Sequence, residues 1–111
     1  MTPTPSEAVF QILLSLSDRP RHGLGIAGEV ELRTGGRVAL GAGTLYTALR
    51  RLRDDEWIEE IEAPAGEHDP RRRFYALTPT GRRILSAEAR RLETLVRDAR
   101  GKAILPGRGA A

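Results

Sequence analysis

The sequence predicts a mainly α-helical fold with a small β-hairpin, arranged as a winged helix-turn-helix plus a long C-terminal dimerisation helix. Three observations predict it: three short helical patterns in succession, two extended segments joined by a polar turn, and one long amphipathic pattern at the end. The 111 residues are enough for one domain with its own hydrophobic core. The chain holds no cysteine, which excludes a disulfide framework.

The three short helices are predicted over residues 6–17, 23–33 and 43–55. Pro20 follows the first helix and prevents it from continuing. In the third helix, Leu45, Leu49 and Leu52 recur at spacings of four and three residues, which indicates a buried stripe. Residues 37–40, between the second and third helices, are expected to be extended.

Two strands, residues 57–61 and 72–77, are predicted to pair as a hairpin across a loop with turn-forming residues. Thr78 and Pro79 then begin the last helix, because threonine caps a helix and proline fits its first position. The apolar residues of that helix fall on one side: Ile84, Leu85, Ala89, Leu92, Leu95, Val96 and Ala99. The predicted organisation is a winged helix-turn-helix domain (6–78), a dimerisation helix (79–103) and disordered ends (1–5 and 104–111).

Charge is strongly segregated along the chain, although 18 basic and 15 acidic residues give a net charge of only +3. Residues 37–53 carry arginines and no acid, residues 54–68 carry acids and no Lys or Arg, and residues 69–83 are again rich in arginine. Local fields of this kind matter more than the total charge when a protein meets a polyanion. Two basic blocks are therefore candidates for nucleic-acid contact, although genome composition bias also explains a high arginine content.

The third helix is predicted to be the DNA-recognition helix, since an α-helix fits the major groove of duplex DNA. Its hydroxyl and guanidinium side chains are those that bind phosphates and base edges, and the candidates are Thr44, Tyr46, Thr47, Arg50 and Arg51. In the hairpin, Arg72 and Arg73 are expected to follow the DNA backbone or enter the minor groove. The alternatives are a solvated helix face and a hairpin tip that only aids solubility.

The acidic block, residues 54–67, is expected to face away from DNA or to pair with the arginines of the hairpin. It also leaves a rival function open, in which a winged helix serves protein–protein contact without binding DNA. A gel shift on random duplex at low salt separates the two, because DNA binders show salt-sensitive nonspecific affinity.

The later part of the last helix is predicted to pair with the same helix of a second copy. Leu92, Leu95, Val96 and Ala99 project beyond a domain of this size and need a partner surface. A two-fold homodimer supplies it; packing within one chain is the alternative.

Several function classes are not expected. The sequence shows no catalytic set, so an enzyme is not predicted, and no cofactor is implied. His22 precedes a helix and is interpreted as a capping or structural residue, and with only two histidines a metal site is not expected. No apolar run is long enough to span a membrane and no signal-peptide pattern is present, which predicts a cytoplasmic protein.

The chain also resembles the PadR-like transcriptional regulators. Four patches carry the resemblance over about residues 9–102: 20–23 (Pro-Arg-His-Gly), 41–46 with Leu49 and Leu52, 57–58 (Trp-Ile) and 72–81. The resemblance implies a winged-helix dimer of the compact subtype, usually a repressor, that small effectors release from DNA. Three residues depart from the family pattern: Leu24 where an aromatic is common, Ala42 where proline is common, and Glu56 where glycine is common.

Overall fold

A computed structural model of the protein describes residues 2–107. In this part of the chain, four helices and three strands follow one another as α1 (Glu7–Ser15), β1 (Arg21–His22), α2 (Gly23–Thr34), α3 (Ala42–Asp54), β2 (Ile58–Ile61), β3 (Phe74–Leu77) and α4 (Pro79–Gly101). The predicted arrangement of three helices, a hairpin and one long helix is confirmed. The predicted disorder at Met1 and at residues 108–111 lies outside the described residues.

The sheet differs from the predicted two-stranded hairpin because a third strand joins it. Strand β3 lies in the centre, with β1 on one side and β2 on the other, and both pairings are antiparallel. His22 of β1 faces Phe74, and Ile58 of β2 faces Leu77. A strand of two residues is too short to show an alternating pattern, so no local signal indicates it. Residues 37–40, expected to be extended, form no strand.

The hydrophobic core lies where α1, α2 and α3 meet the sheet. Each element supplies fully buried aliphatic side chains, and burying one such side chain stabilises the fold by about 1.5–3 kcal/mol. They include Ile12, Leu13, Ile26, Val30, Leu45, Leu49 and Ile58. Arg33 ties α2 to α1, because its guanidinium donates to Gln11 Oε1 (2.8 Å) and to the buried Ser15 hydroxyl (3.1 Å).

The junction between α3 and β2 turns through a left-handed residue. Glu56 has φ 63°, in the left-handed region that glycine adopts without strain. The N–H of Trp57 donates to Leu52 O (2.9 Å) and that of Glu56 to Arg53 O (3.0 Å), which is the Schellman ending of a helix. Thr78 Oγ1 donates to Glu56 O (2.6 Å) and so ties this turn to the start of α4.

Helix α4 begins at a threonine cap and leaves the domain after about three turns. Thr78 Oγ1 accepts from Gly81 N–H (3.0 Å), and Pro79 occupies the first helical position. The face formed by Gly81, Ile84, Leu85 and Glu88 is buried against the domain. Ala89, predicted on the buried side, is exposed, because the register places Glu88 there instead. Within residues 2–107, no helix combines the length and apolar character needed to cross a membrane.

Candidate nucleic-acid interface

Helix α3 exposes one face along its whole length. Leu45, Leu49 and Leu52 are buried and Ala48 packs partly against the core, so the exposed face consists of the other side chains. The exposed set includes all five residues predicted for this helix: Thr44, Tyr46, Thr47, Arg50 and Arg51. Thr44 lies inside the first turn, and the N-cap is Gly41, which has no capping side chain. The first N–H groups of α3 are therefore not bound by a cap, and they favour an anion at this end.

Tyr46 is held against the start of α2. A Cβ atom on Gly23 would lie 2.5 Å from the Tyr46 hydroxyl oxygen, so only glycine permits this close approach. The ring is 43% exposed. The hydroxyl thus stands where the first turns of α2 and α3 meet, and a phosphate contact there would involve both helices.

Arg50 and Arg51 carry no ion pair with any of the described residues, whereas Arg53 lies 3.6 Å from Glu60. Unpaired exposed guanidinium groups suit phosphate and guanine recognition because their planar fork donates in pairs. The positive charge of α3 is therefore concentrated on two unpaired side chains at its middle.

The arginines of the β2–β3 loop are paired with acids from the same chain. Arg71 lies 3.2 Å from Asp69, Arg72 lies 3.4 Å from Glu67, and Arg73 lies 3.9 Å from Glu60, atom to atom. The expectation that part of the acidic block opposes these arginines is confirmed. Each pair includes a well-exposed arginine side chain, so solvent screens it and it contributes little to stability.

His22 connects this loop to α2 and acts as a cap, as expected. Its Nδ1 accepts from Gly25 N–H (3.1 Å), and its Nε2 lies 3.1 Å from Nη1 of Arg72. The imidazole also meets the ring of Phe74 edge to face, with centroids 5.3 Å apart. Arg72 is thereby held near the N-terminus of α2, on the same side as Tyr46.

Tyr75 lies buried beneath the arginine-bearing end of the sheet. Burial raises the pKa of its hydroxyl, and the nearby carboxylate of Glu60 raises it further. The phenol therefore stays neutral at physiological pH and serves as part of the core.

An open groove beside α3 was not predicted from the sequence. It has a volume of about 1260 Å³ and runs between the N-terminal segment and α3. Thr44, Thr47 and Arg51 border it on one side, and Pro5 and Trp57 lie on its apolar walls. It depends on contacts between distant segments, which no local pattern reveals.

The outer half of α4 leaves a row of apolar side chains uncovered. Leu92, Leu95 and Val96 are 36, 51 and 37% exposed, and Ala99 is half-buried. These residues continue, at helical spacing, the face that Leu85 and its neighbours bury against the domain. Packing within one chain therefore covers only the first half of this face. In the described part of the chain, no group of three or more potential ligands could hold a metal ion.

Known proteins resemble this chain in both sequence and fold. The model of the "Transcriptional regulator PadR-like family" matches residues 12–87. An uncharacterised 37.1 kDa protein of transposon TN4556 from Streptomyces fradiae is 36% identical over 90 residues, which make up 81% of this chain. The chain spans about a quarter (24%) of the length of that curated relative.

Solved structures share the fold. A PadR family transcription regulator from Clostridium difficile superimposes with a TM-score of 0.73 at 21% identity, covering 88% of this chain and 99% of the other. Bacillus subtilis PadR, solved in complex with operator DNA, gives a TM-score of 0.63 at 21% identity, covering 74% of this chain and 46% of the other.

Proposed function

Because this chain belongs to the PadR-like family of transcriptional regulators, we propose that it binds specific sites in duplex DNA as a homodimer. The observation that carries the proposal is the exposed face of α3, where two unpaired arginines follow two exposed threonines. The operator complex of the Bacillus subtilis relative supports it. Regulators of transcription, not enzymes, make up this family.

In the proposed complex, α3 enters the major groove with Thr44, Tyr46 and Thr47 at its leading end. Arg50 and Arg51 reach phosphates or guanine edges, and Arg72 and Arg73 contact the backbone beside the groove. The uncovered half of α4 pairs with its copy, which presents two α3 helices about one turn of DNA apart.

We further propose that the protein represses transcription and that a small effector relieves repression, as the family resemblance implies. A reporter gene placed behind a selected site tests the direction of regulation: repression lowers its output, and activation raises it.

Selection of genomic fragments that the purified protein retains, followed by a gel shift on the enriched sequence and on random duplex, tests DNA binding. We expect salt-sensitive binding to both duplexes and tighter binding to the enriched one. A protein that ignores both duplexes in dilute buffer favours the alternative of a module for protein–protein contact.

A further inference from the structure

His22 takes part in two contacts that a neutral imidazole cannot satisfy together. Its Nδ1 accepts the N–H of Gly25 (3.1 Å), and its Nε2 lies 3.1 Å from Nη1 of Arg72. A neutral imidazole has one nitrogen that accepts and one that donates, whereas a guanidinium group only donates. Both ring nitrogens therefore face donors, and one of the two contacts is incomplete within this chain.

The backbone decides which of the two contacts is complete. His22 is the N-cap of α2, and the N–H of Gly25 belongs to the first turn of that helix, so Nδ1 meets a donor whose position is fixed. The guanidinium of Arg72 ends a long side chain that is 41% exposed and can turn away. Nδ1 is therefore the acceptor, and the proton is on Nε2, which points a second donor at Arg72.

The sheet holds these two donors side by side. His22 pairs with Phe74 between β1 and β3, and the edge-to-face contact of the two rings fixes the plane of the imidazole. Arg72 precedes Phe74 by two residues, so the same strand pairing brings its side chain beside His22. In the described part of the chain, Arg72 has one long hydrogen bond from this guanidinium nitrogen, to Glu67 Oε1 (3.4 Å), and Nε2 of His22 has no oxygen partner.

A single oxygen atom can accept from both donors. Two nitrogens 3.1 Å apart leave room for one oxygen at hydrogen-bond distance from each of them. An anionic oxygen is favoured, because Arg72 is positively charged and charge-assisted hydrogen bonds are the stronger ones. Gly23, next to His22, closely approaches the hydroxyl of Tyr46. The two donors thus lie between α3 and the β2–β3 loop, the elements of the proposed DNA contact.

We propose that His22 and Arg72 of each subunit together bind one phosphate of the DNA backbone. This inference rests on the proposed function, and it adds a DNA contact to a residue that the sequence assigned only to capping. The cap keeps His22 in the tautomer that donates from Nε2, so one imidazole serves the start of α2 and the phosphate at the same time. A contact to the backbone positions the protein on DNA and reads no base sequence.

Two substitutions separate the donor from the cap. His22→Asn keeps a capping oxygen in place of Nδ1, but its side chain is too short to reach the position of Nε2. His22→Gln reaches that position with an amide N–H and lacks the short side chain that an N-cap requires. Both variants lose the contact with Phe74, so they are matched for ring packing. His22→Asn should have the higher Tm of the two, and His22→Gln should bind duplex DNA more tightly.

Fluorescence anisotropy at about pH 8, where unperturbed imidazole is neutral, measures the binding. His22→Asn should weaken binding about tenfold per subunit, on the enriched and the random duplex alike. It should leave the salt slope unchanged, because a neutral donor releases no counterion, whereas Arg72→Ala should lower the slope by about one. His68→Asn makes the same change at the other histidine and should leave binding unchanged.

A double-mutant cycle tests whether the two side chains share one phosphate. In an Arg72→Ala background, His22→Asn should cost less than tenfold, because the phosphate is no longer held between two donors. Additive effects, undiminished binding by His22→Asn, or equally weak binding by His22→Asn and His22→Gln would overturn the inference while the proposed function stands. Failure of the unmodified chain to bind either duplex would overturn both.

The position of the imidazole proton gives a second readout, which loss of a structural role would not change. Nitrogen NMR on a His68→Gln chain, in which His22 is the single histidine, shows which ring nitrogen carries the proton. We expect the proton on Nε2 in the free and in the DNA-bound protein, and slower exchange of that proton with water in the complex. A proton on Nδ1 in the complex, or an exchange rate that DNA leaves unchanged, contradicts the inference.

Discussion

The carbonyl oxygen of Trp57 occupies the space that a Cβ atom on Gly81 would need. The same atom accepts the N–H of Thr78 (3.1 Å), so the end of α3, the start of β2 and the first turn of α4 are fixed against one another. Helix α4 carries the proposed dimer seam, and α3 carries the proposed DNA contacts. The close packing at Gly81 therefore fixes the position of the one helix relative to the other.

Gly81→Ala should therefore destabilise the protein, although alanine is the better helix former. The methyl group would collide with backbone, which cannot rotate away, and overpacking of this kind costs about 1–3 kcal/mol. Urea unfolding at fixed protein concentration measures the change. Gly101→Ala is the control, since nothing lies within 4 Å of its Cβ position. Equal stability of the two variants would contradict the close approach.

Glu56→Gly should stabilise the protein by about 1 kcal/mol, because a left-handed conformation is strained for glutamate and not for glycine. The backbone carbonyl that accepts from Thr78 is kept in this variant. The midpoint of urea unfolding should rise. Glu59→Gly, in the regular strand β2, should lower the midpoint instead, and a fall for both variants would argue against strain at Glu56.

Arg72→Ala combined with Arg73→Ala should weaken binding to any duplex and flatten its dependence on salt. Removing one phosphate contact reduces the slope of log affinity against log salt concentration by about one. Fluorescence anisotropy across a salt series measures the slope. Arg83→Ala, at an exposed position of α4, is the control. An unchanged slope in the double variant would remove the β2–β3 loop from the mechanism.

Leu95→Asp should convert the proposed dimer to a monomer, because it places a charge in the uncovered α4 face. Sedimentation velocity at micromolar concentration measures the oligomeric state. Thr94→Asp adds the same charge on the side of the helix opposite that face and should leave the dimer intact. A dimer that survives Leu95→Asp would mean that the interface lies elsewhere.

The protein should lose stability in acid, in part because the carboxylate of Glu88 becomes protonated. The hydrogen bond from Arg91, only partly opposed by burial, holds the pKa of Glu88 below its ordinary value of 4.5. A lowered pKa in the folded state means that the stabilisation is present above the ordinary value and is lost as the pH falls through the lowered one.

Glu88→Gln should therefore lower the Tm at pH 7, and the difference from the unmodified chain should shrink below pH 4.5. Thermal unfolding across this pH range measures it. Glu93→Gln, an exposed change on the same helix, should give curves parallel to the unmodified chain. A Tm difference for Glu88→Gln that stays constant with pH would exclude this ion pair as the cause.

The helices could be predicted because their signals are local. The spacing of Leu45, Leu49 and Leu52 determined the buried side of α3, and hence its exposed side, and Thr78 with Pro79 marked the start of α4 within one residue. Strand β1 could not be predicted, since its two residues pair only because the chain brings them beside β3. The groove beside α3 likewise depends on contacts between distant segments.

Sequence hydropathy also failed to predict which of Glu88 and Ala89 faces the domain. Hydropathy placed the alanine inside, but α4 is set in register by the cap at Thr78 and the approach of Gly81 to Trp57. With that register fixed, the position that faces the domain is a glutamate, and Arg91 neutralises it. A hydropathy scale scores each residue alone, so it cannot predict that a buried glutamate is stabilised by an arginine one turn further along the helix.

In the proposed DNA complex, the pairing of the loop arginines with Glu60 and Glu67 would affect selectivity. An incoming phosphate must displace a carboxylate that stays tethered beside it, rather than a counterion that diffuses away. An irregular polyanion, such as a flexible single strand, gains little from that exchange. A regular double helix offers several phosphates at matched spacing and would gain more, so under the proposed function these acids would favour duplex DNA over flexible single strands.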